Sequence, residues 1–282
     1  MINVYLSGNE IHDRVLKAFF EGIDEDKILI SNWEYRPSEV AVVFGIHKKR
    51  IKVSWPRGEI IAQQRSKNLD VIVLETGYIN RGDGEQHHYA AGWNGLNGRA
   101  DFRNKEMPDD RAELLREANL LRVLNWRDQG DRIILCGQVP WDASVDHLVF
   151  EDWLYKTAKA LLKLTDRPVV FRPHPLAKIA PLQGCDYSAG GPLWEDLIDA
   201  HAVVTLNSNS GVDALIEGIP VFAFDEGSMV WDVCNRVLKD IEDPKKPERK
   251  QWLNDLCYAQ WTLKEMKEGK AWKHLSRSQN RT

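Results

Sequence analysis

The sequence predicts an α/β protein made of two doubly wound domains, and three observations carry that prediction. Short runs such as "VAVVF" and "AVVTL" are apolar at successive positions, as strands buried on both faces of a parallel sheet require. Stretches with apolar residues at helical spacing alternate with these runs. The alternation occurs in two blocks, separated by the polar stretch "NWRDQGD" at 125–131. A chain of 282 residues is also longer than one hydrophobic core usually serves.

The first block, residues 1–125, has strands at "INVYL", "KILI", "VAVVF" and "DVIVLE". Between the first two, Ile11, Val15, Leu16, Phe19 and Phe20 fall on one helical face. "DRAELLREANLLRVL" at 110–124 predicts the helix that closes this block. The second block, residues 132–240, opens on the strand "RIILC" and a helix over 150–162. That helix lines up Phe150, Trp153, Leu154, Ala158, Leu161 and Leu162. The strand "RPVVF", a short helix over 193–200, the strand "AVVTL", the helix "GVDALIEG" and the strand "PVFAF" follow. Residues 241–282 are polar, with Trp252, Leu256, Leu263 and Met266 at roughly helical spacing, and predict one or two helices on a domain surface.

Composition narrows the function. The net charge of −4 means that any nucleic-acid contact needs a local basic patch. "HKKRIK" at 47–52 and residues 264–282, with six Lys/Arg against two Glu, are the candidates, and each also reads as a solvated face. Cys136, Cys185, Cys234 and Cys257 lie far apart without metal-ligand spacing, so free thiols in a reducing compartment and no metal are expected. No apolar run approaches the ~20 residues of a membrane span, and no signal segment leads the chain, which predicts a cytoplasmic protein.

In doubly wound sheets ligands bind beyond the carboxyl ends of the strands, so four loops matter. "VVFRPHP" at 169–175 ends a strand with Arg172 and His174, and the prolines restrict the backbone on both sides of the histidine. His174 can donate to a phosphate oxygen and Arg172 can add a charge-assisted contact; the competing reading is a surface turn. Asn207, Ser208, Asn209, Ser210 and Gly211 stand where a helix begins, a position whose free amides favour an anion or, more simply, a side-chain cap. Asp213, in the first turn, can accept from a sugar or ribose hydroxyl or serve the helix dipole. Glu75 ends the strand "DVIVLE" and can act as a base on an acceptor hydroxyl, or pair with Arg81 or Arg99. The stretch beyond it, to about residue 104, has six glycines and no evident periodicity, which reads as a long functional loop. Within it Tyr78, Arg81, Trp93 and Asn94 are candidate acceptor contacts. Gln138 and Asp142 follow the strand "RIILC" and can bind the donor, Asp142 alternatively capping the next helix.

Taken in order, "ETGYINR", "AAGWNGLNG", "GQVPWDASV", "RPHP" and "NSNSGVDALIEGIPVFAF" resemble the capsule polysaccharide biosynthesis proteins, which include Kdo-transferase-like glycosyltransferases with a glutamine motif and a His-Pro motif. The resemblance spans roughly residues 39–235. It implies a GT-B architecture of two Rossmann-like domains facing a cleft. The C-terminal domain would hold a nucleotide-sugar co-substrate, with His174 on the donor phosphate, and the N-terminal one would face the acceptor. It further implies no bound cofactor or metal. A compact chain of this kind is also similar, in architecture, to phage enzymes that glucosylate hydroxymethylated DNA bases. The acceptor is therefore expected to be a glycan or such a base. A nucleotide-sugar 2-epimerase and a non-catalytic nucleotide- or glycan-binding module are the alternative readings.

Overall fold

The computed structural model describes residues 1–32, 34–46 and 56–277, so the basic segment at 47–52 and the last five residues lie outside it. Residue contacts divide the chain into two compact units, Met1–Leu121 together with the residues from Lys250 onward, and Arg122–Arg249.

The first unit begins with β1 (Ile2–Tyr5), α1 (Glu10–Gly22), β2 (Lys27–Ile30), β3 (Val40–Phe44), α2 (Pro56–Ser66) and β4 (Asp70–Thr76). These four strands are parallel, in the order β2-β1-β3-β4. Strand alternation sends Val4, Val42, Phe44, Ile72 and Leu74 to one face, where they pack on Val15, Leu16 and Phe19 of α1. Ala41, Val43, Val71 and Val73 face the other way, onto Ile60 and Ile61 of α2. Burial on both faces is why these strands read as continuous apolar runs.

Two departures from the sequence reading follow. The stretch after β4 is not a structureless loop: it contains β5 (His88–Trp93), fully buried and antiparallel to β4. Its alanines and glycine suppress the usual strand signature, and Gly92 is required because a Cβ there would lie 2.8 Å from Ala100 and Phe102. The helix expected over 110–124 stops early, as α3 (Asp110–Glu117), with Asn119 just beyond it in the left-handed region at φ 56°.

The second unit comprises β6 (Arg132–Cys136), α4 (Phe150–Leu164), β7 (Val169–Arg172), β8 (Asp186–Tyr187), α5 (Leu193–Leu197), β9 (Ala200–Thr205), α6 (Ser210–Ile216) and β10 (Val221–Ala223). All five strands are parallel, in the order β10-β9-β6-β7-β8. Counted within the unit this is 3-2-1-4-5, the first five positions of the doubly wound order 3-2-1-4-5-6, and the strand order reverses between β6 and β9. Ile133, Leu135, Val169, Phe171, Val204 and Phe222 form one face and pack on Phe150, Leu154, Ala158 and Leu161 of α4.

The chain then returns to the first unit through α7 (Lys250–Cys257), β11 (Gln260–Thr262), α8 (Leu263–Lys267) and α9 (Lys270–Leu275). The sequence predicted only surface helices here; β11 instead extends the first sheet, antiparallel to β5. Leu263, Met266, Ala271, Trp272 and Leu275 complete the core under α1. Gly22 admits the Met266 carbonyl, which a Cβ would meet at 1.9 Å. Arg111 of α3 fastens this segment. Its guanidinium donates to Glu265 Oε1 at 2.6 Å and to the carbonyls of Cys257 and Gln260 at 2.9 Å, and it stacks 4.0 Å from the Trp261 ring centre.

Candidate functional site

Because β7, β6 and β9 are adjacent and parallel, the loops that follow them share one edge of the second sheet. The His174 and Asn207–Gly211 segments are therefore two strand spacings apart, about 10 Å. The buried Cys136, last residue of β6, marks the floor between them. Burial pushes its thiol up to about 12, while the Ser210 hydroxyl bonded to it and the charges of Arg172, Asp196 and Asp213 act on it as neighbours. Arg172 at the end of β7 and the first turn of α6, with Ser210 and Asp213, are thus brought near one residue of β6.

Most of the polar residues expected to bind a donor nevertheless spend their hydrogen bonds on one another. Gln138 and Asn207, 7% and 2% exposed, form a reciprocal pair: Gln138 Nε2 donates to Asn207 Oδ1 at 2.6 Å, and Asn207 N donates to Gln138 Oε1 at 3.0 Å. Asn207 Nδ2 donates onward to the Ser144 carbonyl at 2.9 Å and to Asp225 Oδ1 at 2.8 Å. Arg172 forms an ion pair with Asp196, both side chains 12% exposed, and donates to the Gly191 carbonyl at 2.6 Å. Ser188 completes that group with a 2.7 Å bond to Asp196. At the start of α6 the amides of Ser208, Ser210, Gly211 and Val212 all find partners inside the loop. Gly211 serves packing, since a Cβ there would lie 3.2 Å from Val230. Asn209 Oδ1 is buried with no hydrogen-bond partner among the described residues.

His174 differs. Its Nδ1 accepts the Leu176 amide at 3.2 Å, which places the proton of the neutral ring on Nε2. Burial lowers its pKa, opposed by the Asp142 carboxylate, so the ring is a neutral imidazole at pH 7. Asp142 itself accepts the Ser144 amide at 2.9 Å, capping the 3₁₀ turn Ala143–Val145.

Sequence reading missed one element of this edge. His147, from the loop after β6, reaches Asp225, after β10, with Nε2 at 2.9 Å from Oδ2. Neither residue sits in a motif, and only the parallel sheet brings them together.

The acceptor candidates belong to the first unit. Glu75, half-buried, lies opposite Ala90 in the β4–β5 ladder. Tyr78 is 1% exposed and packs edge-on against Phe102; burial and then the Glu75 charge push its phenol well above the usual range. Trp93, 8% exposed, donates Nε1 to the Leu275 carbonyl at 3.1 Å. Both are core side chains, which corrects their expected role as acceptor contacts. Asn94 is corrected too: it bonds to Val71 N and Asp70, at the amino end of β4, the opposite end from Glu75. Arg81 is exposed and donates to the Tyr78 carbonyl at 3.0 Å. Among the described residues no cluster of three or more His, Cys, Asp or Glu is arranged to hold a metal, and no helix is long and apolar enough to cross a membrane.

No family model and no curated protein matches the sequence. Solved structures do match the fold. KpsC of Thermosulfurimonas dismutans, described as a beta Kdo 2,7 transferase, aligns at a TM-score of 0.58 and 19% identity, over 92% of this chain and 89% of its own. A second structure from that organism, KpsC described as a beta Kdo 2,4 transferase, aligns at 0.58 and 16% identity over 91% and 89%. The chain therefore shares, over nearly its whole length, the α/β fold of these two structures, with its two predominantly parallel sheets.

Proposed function

We propose that this protein is a GT-B-type glycosyltransferase that moves a sugar from a nucleotide-sugar donor to a hydroxyl of a glycan. The second unit would hold the donor and the first would face the acceptor. One observation carries the reading: at the carboxyl edge of a sheet with doubly wound strand order, His174 is a neutral imidazole whose Nε2–H is directed by a fixed tautomer. Such a donor suits a phosphate oxygen. As the bond from the anomeric carbon to that oxygen breaks, the electron pair leaves with the phosphate, and the Nε2–H bond strengthens with the growing negative charge. Asp142, whose charge acts on His174, would face the same ligand, and the loop 207–211, its amides already bonded, would flank it. Glu75 is the carboxylate proposed to receive or orient the acceptor hydroxyl. The likeness to structures described as Kdo transferases supports transfer to a glycan over transfer to DNA.

The test is a thermal-shift screen of the full chain against nucleotides and sugar nucleotides, followed by transfer assays with the best donor. His174→Ala is expected to lower transfer about 10²- to 10³-fold with an unchanged melting temperature. Full activity in that variant would overturn the assignment.

A further inference from the structure

Two imidazoles end up on the carboxyl edge of the second sheet; both neutral rings carry their proton on Nε2, but their hydrogen bonds leave opposite functions open to a ligand. His174 receives a backbone amide on Nδ1 and so offers a donor, Nε2–H. His147 sets Nε2 at 2.9 Å from Asp225 Oδ2, so its neutral ring carries the proton there and offers an acceptor, the Nδ1 lone pair. Asp225 is held for this purpose on its other oxygen, where Asn207 Nδ2 donates at 2.8 Å and Gly227 N at 2.9 Å. The carboxylate is 8% exposed, whereas the His147 side chain is 42% exposed, and Nδ1 makes no hydrogen bond among the described residues. A carboxylate that needed only a buried donor would be served by another amide. Here it fixes a half-exposed ring instead, in the geometry by which carboxylates orient functional histidines.

We propose that His147 is a ligand contact of this site: its Nδ1 accepts a hydrogen bond from a hydroxyl of the bound sugar nucleotide, and Asp225 is the positioning residue that keeps the lone pair on that nitrogen. The proposal rests on the nucleotide-sugar reading above and assigns a second recognition point to it. The loop from Gly137 to Val149 carries His147 together with Asp142, whose charge acts on His174, so one loop links the two imidazoles. Phosphate recognition by a donor and hydroxyl recognition by an acceptor are complementary demands of one ligand class. A hydroxyl can come from the ribose or from the transferred sugar, and the two are separable.

The experiment measures affinity of the full chain for the ribonucleoside monophosphate that binds best among CMP, UMP, AMP and GMP, for its 2′,3′-dideoxy analogue, and for the corresponding sugar nucleotide. His147→Ala is expected to weaken binding about 5- to 10-fold, the worth of one hydrogen bond, and Asp225→Asn to weaken it similarly without unfolding the chain. If the ribose supplies the hydroxyl, the dideoxy analogue binds wild type weakly and is insensitive to His147→Ala. If the transferred sugar supplies it, only the sugar nucleotide loses affinity in the variant. His147→Asn serves as a second variant should the alanine destabilise the loop. In wild type, ¹⁵N shifts of the ring are expected to report protonated Nε2 in the free protein and a move of the Nδ1 signal on binding. Equal affinity of wild type and His147 variants for all three ligands overturns this inference alone. A wild-type chain that binds no nucleotide overturns the broader reading and this one with it.

Discussion

Two regions of this chain look equally functional as sequence, the stretch 75–104 in the first unit and the carboxyl edge of the second sheet, yet the fold uses their polar groups differently. In the first, glycines, aromatics and asparagines suggested a ligand loop, yet Tyr78, Trp93 and His88 are buried and Gln260 seals the backbone. Its Oε1 accepts the amides of Tyr78 and Ile79 at 2.6 and 2.8 Å. In the second, the polar residues converge on one edge, but they saturate each other until few ring nitrogens remain for a ligand. A polar residue at a strand end is available to a ligand only when its hydrogen bonds are left over, and that count is a tertiary property.

The comparison can be broken or sharpened by measurement, and the largest effect concerns Arg172. If its guanidinium belongs to the Asp196 pair, Asp196→Ala leaves a buried charge and should destabilise the second unit by about 3 to 5 kcal/mol, seen as a large fall in melting temperature. An unchanged melt would return Arg172 to the list of ligand groups.

The next test is on the core side. His274, 2% exposed, has its pKa lowered to about 4 by burial, against the opposing bond to the Phe102 carbonyl. In the unfolded chain the ring titrates near 6.5, so between about 4 and 6.5 the unfolded state binds more protons. Its contribution, about 3 kcal/mol, is full above that window and is lost as pH falls through it. Urea titrations from pH 7 to pH 4 should show this decline in wild type and a shallower one in His274→Phe.

A smaller effect separates packing from ligand binding in the glycine-rich stretch. Gly77→Ala places a Cβ 2.6 Å from the His88 carbonyl and should destabilise the first unit by about 2 kcal/mol. A neutral result would restore the loop reading of "ETGY". The smallest concerns the reciprocal amide pair: Gln138→Ala leaves Asn207 N and Oδ1 without their partner and should cost about 1 to 2 kcal/mol of unfolding free energy. Loss of nucleotide affinity with no loss of stability would show that Gln138 meets the ligand directly.

Much of the fold was legible because its signals are local. The strands β1, β3, β4, β6, β7, β9 and β10 announce themselves as apolar runs, since a parallel strand covered on both faces needs apolar side chains throughout. The helix α1 announces itself by the spacing of Val15, Leu16 and Phe19, and the rigid backbone at His174 by its flanking prolines. The strand β5 was hidden because Ala90, Ala91 and Gly92 have weak strand preference and are held there by neighbours on both sides. The strand β11 was hidden because a three-residue segment has no periodicity of its own and is defined by pairing with a strand some 170 positions earlier in the numbering. The sequence by itself thus determined the doubly wound class, the strand-end loops and the residue types they offer. Only the tertiary structure decided which polar atoms remain open, pairing Gln138 with Asn207, Arg172 with Asp196 and His147 with Asp225. Hydrogen-bond saturation depends on partners that the sheet, not the chain order, sets side by side.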